Sequence, residues 1–392
     1  MTPVSPPQRI GLMCFVIILF TAHAALAVQA PESLPVSAIC IEADTGMVIY
    51  EEHAALKRPP ASMLKLMQML LVVEGMNAGK WTPDTPVTVS KEAERMGGTQ
   101  VFLNEGETWP LKDMLKAVAV ASANDAAVAI AEAFWGSKED FLKAMNARAR
   151  ELGMTDTIFH SVHGLPPDRG GEFDATTAKD MAILARECVK HPEILKLTAQ
   201  KEAYFRGSDA PYHNTNKLLW RMDDCDGLKT GYIRAAGFCI TATAKRDGIR
   251  LIAVVMGAGR NEHFSRARQL LEDGFARITR VKILDKNQSV GEPVPVEHCE
   301  IEHIRLMPAE DVWALLVKDQ IKHLEFRPEH PNPLQPPLKE GEITGEIHVL
   351  LRGEPIARAP LVTPQALIPK GWRLRIQDGV AKWEYLEIAD GK

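Results

Sequence analysis

Three short motifs place reactive side chains along the chain in a fixed order: Ser62-Met63-Leu64-Lys65, Ser122-Ala123-Asn124 and Lys229-Thr230-Gly231. Together they offer a hydroxyl nucleophile, an amine base, a second hydroxyl able to relay a proton, and a cation for a carboxylate. Those are the parts of a serine acyl-transfer site that works without histidine. Each of the first two patterns arises by chance about once or twice in a chain of this length. The information therefore lies in their order, their spacing and the setting of each.

Ser62 and Lys65 are three apart, so on a helix they share one face within hydrogen-bonding reach. From Ser62 to Met76 the sequence is rich in Leu, Met and Val on every side, which predicts a helix buried all round. Burial and the positive end of the helix dipole both depress a lysine pKa, so Lys65 can be neutral and accept the Ser62 proton. A helix N-cap serine with a solvated lysine is the ordinary explanation of an isolated Ser-x-x-Lys. Ser122 and Asn124 alternate about Ala123 and can aim into one cleft. There Ser122 would shuttle a proton between Lys65 and a leaving amine, while Asn124 holds Lys65 and a substrate amide. Alone, that tripeptide reads as a helix cap. Lys229 offers a point charge, Thr230 a hydroxyl, and Gly231 room for a ligand against the backbone, which calls for a ligand carrying a carboxylate. The N–H groups of Ser62 and Tyr232 would make an oxyanion hole.

The elements that must position these groups follow from pattern. Residues 36–50 alternate as a hairpin turning at Asp44-Thr45-Gly46, and Arg58-Pro59-Pro60 ends the extended segment. Residues 111–120 and 126–134 read as helices joined through 121–125, whose Ser, Asn and Asp favour a connection. Further helices are predicted at 138–152, 176–190 and 263–275, and strands at 228–233, 238–244 and 249–256. Beyond Val281, short extended runs at 300–306, 343–351 and 355–361 are separated by Pro and Gly, and the proline-dense 328–337 cannot be helical.

Arg9 precedes an apolar stretch from Ile10 to Phe20 and an Ala25-Leu26-Ala27 step, a secretory signal peptide cleaved after Ala27. The stretch is shorter than the ~20 residues of a membrane span. The protein is thus expected to work outside the cytoplasm. The roughly 365 residues that remain exceed the usual single core and predict two domains. Lys+Arg number 46 against 51 Asp+Glu, with no basic run, which excludes a nucleic-acid partner. Removing Cys14 leaves an odd set (Cys40, Cys188, Cys225, Cys239 and Cys299), which argues against a disulfide framework. Pairing through a turn at 234–237 sets Cys239 opposite about Tyr232, too far along for a bridge to Cys225. His160 and His163 lack a third ligand at a recognisable spacing, so no metal is expected and the pair reads as polar surface.

With these residues in place, the chain resembles the serine D-alanyl-D-alanine carboxypeptidases among the low-molecular-mass penicillin-binding proteins. The likeness extends to Asp44-Thr45-Gly46, Arg58-Pro59-Pro60-Ala61-Ser62, Gly98-Thr99-Gln100-Val101, Gly106-Glu107, Asn124-Asp125-Ala126-Ala127, His163-Gly164-Leu165, Thr177 to Ala182, Asn214-Thr215-Asn216 and Asp226 to Gly231. It implies an α/β, serine β-lactamase-like catalytic domain over 28–280, a small all-β domain over 281–370 and a tail at 371–392. It further implies that Ser62 is acylated, Lys65 accepts its proton, Ser122 is the second active serine and Lys229 binds substrate. Asn124, Thr230, Gly231 and Tyr232 would line the substrate, and Arg260 resembles a position that holds its carboxylate. The implied substrate is a peptidoglycan stem peptide ending in D-Ala-D-Ala, with β-lactams as covalent inhibitors and no cofactor. A cross-link endopeptidase and a catalytically inert wall-binding scaffold are the alternatives. Leu64 stands in place of the family's usual Thr, Ala123 of its commoner Gly, and Ser161-Val162 of Asn-Pro. Of these, Ala123 is expected to constrain the relay loop. Trp372, Ile376, Val380 and Trp383 fall at helical spacing, as in a membrane-surface segment, although Gly379 and nearby acids oppose it and a strand fits equally well.

Overall fold

The computed structural model describes Met1 and residues 35–207 and 210–371. The expected signal peptide and the segment around Trp372 to Trp383 lie outside the described residues, apart from Met1. Strand Ser37–Glu42 is buried along its whole length because it runs through the middle of a layered structure. It pairs antiparallel with Val48–Glu52 on one side and with Ile249–Ala258 on the other, Cys40 lying opposite Tyr50 and Ala253. Gly237–Arg246 and Cys225–Ile233 complete the five-stranded sheet.

Alternation along these strands divides the apolar side chains between two cores. Ile39, Ile41, Ile252, Val254 and Met256 face a helical lobe with Met63, Leu66 and Met67. Ala38, Cys40, Leu251, Ala253 and Val255 face helix Glu262–Arg277, which covers the opposite side through Phe264, Ala267 and Leu271. Helix Lys65–Asn77 crosses the first core, and Lys65 to Leu70 are all buried, as a sequence rich in Leu, Met and Val on every side predicts. Its first turn is a tighter 3-10 segment, Ala61–Leu64, which carries Ser62.

From Ile278 the regular elements are strands apart from one 3-10 turn, Lys318–His323. A second five-stranded antiparallel sheet runs in the order Val290–Pro295, His303–Pro308, Glu354–Val362, Ile343–Leu351 and Leu324–Glu329, with its own apolar core. Both parts lie in the compact unit that begins at Val36. We propose to draw their boundary near residue 280, where helix Glu262–Arg277 gives way to strand Ile278–Leu284.

Two sequence expectations need correction. The strand carrying Lys229, expected over 228–233, begins at Cys225, so Lys229 sits mid-strand. Cys239 pairs opposite Gly231, one residue earlier than expected, because Ile233 and Gly237 already close the turn. Cys225 lies opposite Ala244, and the five described cysteines are all buried and unbridged.

Candidate active site

The 3-10 turn brings Ser62 round so that Lys65, the first residue of the α-helix, lies beside it, Nζ 3.0 Å from Oγ. Lys65 is completely buried. Its Nζ is also 2.7 Å from Asn124 Oδ1 and 2.9 Å from the His163 carbonyl. Those two oxygens can only accept, so they take up both N–H groups of a neutral amine and leave its lone pair toward Ser62. Burial is the main force holding the Lys65 pKa well below its ordinary value, and the Lys229 charge acts the same way against Asp125 and Asp174.

The side chains of the second motif do not cap a helix. A six-residue helix, Leu111–Lys116, loosens into a π turn over Ala117–Ala121, and Ser122 follows in the left-handed region at φ 62°. Helix Asn124–Trp135 starts immediately, with Ala123 at its N-cap and no side-chain cap. Freed from capping, the side chains turn inward: Ser122 Oγ accepts from Lys229 Nζ at 2.9 Å, and Asn124 reaches Lys65. Ala123 occupies φ −60°, ψ 125°, open to any residue, so the constraint expected of Ala in place of Gly does not arise.

A strap at residues 97–103 fixes the sense of the Asn124 amide. The Gly97 carbonyl accepts from Asn124 Nδ2 at 2.8 Å, and the Thr99 carbonyl from the Asn124 N–H at 2.8 Å. Oδ1 is thereby left for Lys65. Gly98, at φ +74°, makes this approach feasible, since a Cβ there would lie 2.7 Å from Asn124 Nδ2.

His163, read from sequence as polar surface, contributes through its backbone. Buried Asp174 accepts from the amides of His160 (2.7 Å) and Ser161 (2.8 Å) and from Ser161 Oγ. Ser161 Oγ in turn accepts from the Gly164 amide at 2.8 Å. This bonding delivers the His163 carbonyl to Lys65, and Ser161 is thus a working replacement at one of the departures. Burial pushes the His163 imidazole down to about 4, so the ring is neutral at pH 7. Gly164 lets the loop pass the nucleophile's turn, because a Cβ would sit 2.3 Å from the Ala61 carbonyl oxygen.

On the facing strand, burial alone pulls Lys229 down to about 7. Thr230 Oγ1 donates to Thr215 Oγ1 at 2.7 Å, a partner that no motif spacing discloses. Gly231 was expected to admit a ligand, but that room is filled by the protein itself: a Cβ would lie 2.7 Å from the Pro60 oxygen and 3.0 Å from the Ser62 nitrogen. Its absence brings the strand and the Ser62 turn together, with exposed Tyr232 next along. Arg260 lies exposed between the end of strand Ile249–Ala258 and helix Glu262–Arg277. A polar cleft of about 610 Å³, lined by Gly97, Ser161, His163 and Leu165 among others, borders the site.

Glu74, Glu187 and His191 form the one described trio with metal-ligand chemistry. Arg148 lies 2.6 Å from Glu74 and 3.5 Å from Glu187, and Lys190 pairs with Glu187, so both carboxylates are already neutralised by protein cations.

A serine beside a buried lysine, faced by a serine–lysine pair across an α/β core, defines the class of active-site serine acyl-transferases. Residues 24–260 match the family described as D-alanyl-D-alanine carboxypeptidase, and residues 279–367 match the penicillin-binding protein 5 C-terminal domain. The chain is 35% identical to D-alanyl-D-alanine carboxypeptidase DacF of Bacillus subtilis over 88% of its own length and 89% of the relative's. Penicillin-binding protein 6B of Escherichia coli has a similar structure, with a TM-score of 0.66 and 31% identity, over 86% of this chain and 98% of that one. Penicillin-binding protein D2 of Listeria monocytogenes, solved in an ampicillin-bound form, gives 0.55 and 33%, over 61% of this chain and 96% of that one. The chain belongs to the D-alanyl-D-alanine carboxypeptidase family, with a catalytic α/β domain of penicillin-binding-protein type and an all-β C-terminal domain. It is a serine peptidase.

Proposed function

We propose that the protein trims the terminal D-alanine from peptidoglycan stem peptides through an acyl-enzyme on Ser62. The observation that carries this reading is the buried Lys65 amine, 3.0 Å from Ser62 Oγ with its N–H groups engaged elsewhere. Ser62 Oγ attacks the penultimate D-Ala carbonyl while Lys65 takes its proton. The negative oxygen of the tetrahedral intermediate is received by the Ser62 and Tyr232 amides. As the C–N bond breaks, Ser122, backed by Lys229, gives its proton to the departing amine and takes the one held by Lys65, which returns Lys65 to its neutral form. Water then attacks the ester with Lys65 again as base, releasing the shortened peptide and restoring Ser62. Lys229, Thr230 and Arg260 supply the positive and hydroxyl groups for the terminal carboxylate. β-Lactams would acylate the same serine. Peptidoglycan lies outside the cytoplasmic membrane, so the protein would act there, in keeping with the signal peptide read at residues 1–27.

Mass spectrometry of the intact protein after brief exposure to benzylpenicillin, together with D-alanine release from a D-Ala-D-Ala peptide, tests the reading. One adduct on the parent, none on Ser62→Ala and loss of D-alanine release in the variant are expected. Undiminished release by Ser62→Ala would overturn it.

A further inference from the structure

We propose that Asp125 is a positioning residue of this site, a clamp that holds the 97–103 strap on the path from which its carbonyls orient Asn124, and through Asn124 the Lys65 amine. The inference rests on the reading of Ser62 and Lys65 given above.

Asp125 is completely buried directly behind Asn124. Its carboxylate accepts from the Val101 amide at 3.1 and 3.3 Å and from the Leu103 amide at 3.1 Å, besides its neighbour Ala126 at 2.9 Å. Two amides flanking one residue can converge on a single acceptor only if the residue between them is turned. Phe102 is turned, at φ 58°, in the left-handed region that a bulky side chain avoids. Its carbonyl faces the other way, to Arg206, which also pairs with Glu107, and the residue is 67% exposed. Packing of that ring therefore does not account for the conformation; the carboxylate behind it does.

The same strap carries the Gly97 and Thr99 carbonyls that bind the Asn124 amide and backbone. If it slips, Asn124 Nδ2 loses the acceptor that sets the amide's sense, and nothing obliges Oδ1 to face Lys65. Asp125 touches neither Ser62 nor Lys65 directly. Its charge also holds the Lys65 pKa up from a distance, but removing that charge favours the neutral amine, so a slower reaction reports the route through Asn124.

The rate of benzylpenicillin acylation, read by intact mass, and the melting midpoint are to be measured for the parent, Asp125→Asn, Asn124→Ala and the double variant. Asp125→Asn keeps the shape but sets N–H hydrogens against the strap amides. It should melt cooperatively and acylate roughly 100-fold more slowly, the factor expected when a catalytic group is misplaced by about an ångström. In the Asn124→Ala background the same change should alter the rate by less than about three-fold, since the route is already cut. Gly98→Ala, which disturbs the strap on the Asn124 side with Asp125 intact, should reproduce the slow acylation, so the idea stays testable even if Asp125→Asn fails to fold. Acylation of folded Asp125→Asn or of Gly98→Ala at the parent rate, or an equal loss in both backgrounds, would overturn the clamp. Absence of any adduct on the parent would instead overturn the acyl-enzyme reading.

Discussion

The two parts of the molecule treat polarity in opposite ways. Up to Arg277, buried positions include Glu42, Arg58, Lys65, Asn124, Asp125, Asp174 and Lys229, whereas beyond it Thr363 is the one buried polar side chain among the described residues. In the C-terminal sheet, charge stays on the outside: Arg327, His348 and Arg358 lie abreast on adjacent strands, with Glu325 and Glu346 beside them in ion pairs. Burying a lysine destabilises a fold, and hydrogen bonding only partly offsets it. A protein that does so twice within one site, and leaves its other sheet apolar inside, concentrates its buried charges in the region that performs chemistry.

Changes at the buried lysines should produce the largest effects. Lys65→Met keeps the bulk and removes the amine, and acylation should fall by about 10²- to 10⁴-fold, the range for loss of a general base. The melting temperature should rise at the same time, because a desolvated amine is gone; a fall in both would mean that the lysine is structural and would erase the contrast.

Lys229 gives that contrast a pH signature. Unfolded, it titrates near its ordinary 10.5; folded, it is pulled down to about 7. Above 10.5 both states are neutral. As pH falls from 10.5 to 7 the unfolded chain gains the proton first, so stability declines across that window and the loss is complete below it. The parent's melting temperature should therefore drop between pH 10 and 7, and Lys229→Met should flatten the slope. An unchanged slope would show that Lys229 is not desolvated in solution.

The converse change sharpens the comparison from the other side. Leu361, fully buried in the C-terminal core, should cost about 2–5 kcal/mol when replaced by Ala, as cavity-forming changes do. Below its melting transition that variant should still react with benzylpenicillin at the parent rate; slowed acylation would couple the two parts. Smallest of all, Arg327→Ala breaks an exposed pair with Glu325 and should shift stability by less than about 1 kcal/mol in urea unfolding.

Much of this was legible in the chain. The sheet strands, helix Lys65–Asn77 and the all-β C-terminal part follow from periodicity, because one buried face or an all-round apolar run leaves a direct imprint on sequence. The pairing of Ser62 with Lys65 follows from helical spacing. The turn at Ser122 was hidden: capping residue types suggested a wider connection, and the π turn that shortens it depends on packing. The His163 carbonyl was hidden for a different reason, since a backbone acceptor has no residue type to announce it.

The sequence by itself determined the reacting groups, their order and the helix that sets Ser62 beside Lys65, because those depend on covalent identity and on periodicities of a few residues. Only the tertiary structure decided that Lys65 is fully desolvated and aimed. That state requires burial, an Asn124 amide oriented by a distant strap, and a carbonyl delivered by a loop tied to Asp174. Desolvation and hydrogen-bond direction are properties of an environment, and an environment exists only once segments far apart in the chain have packed together.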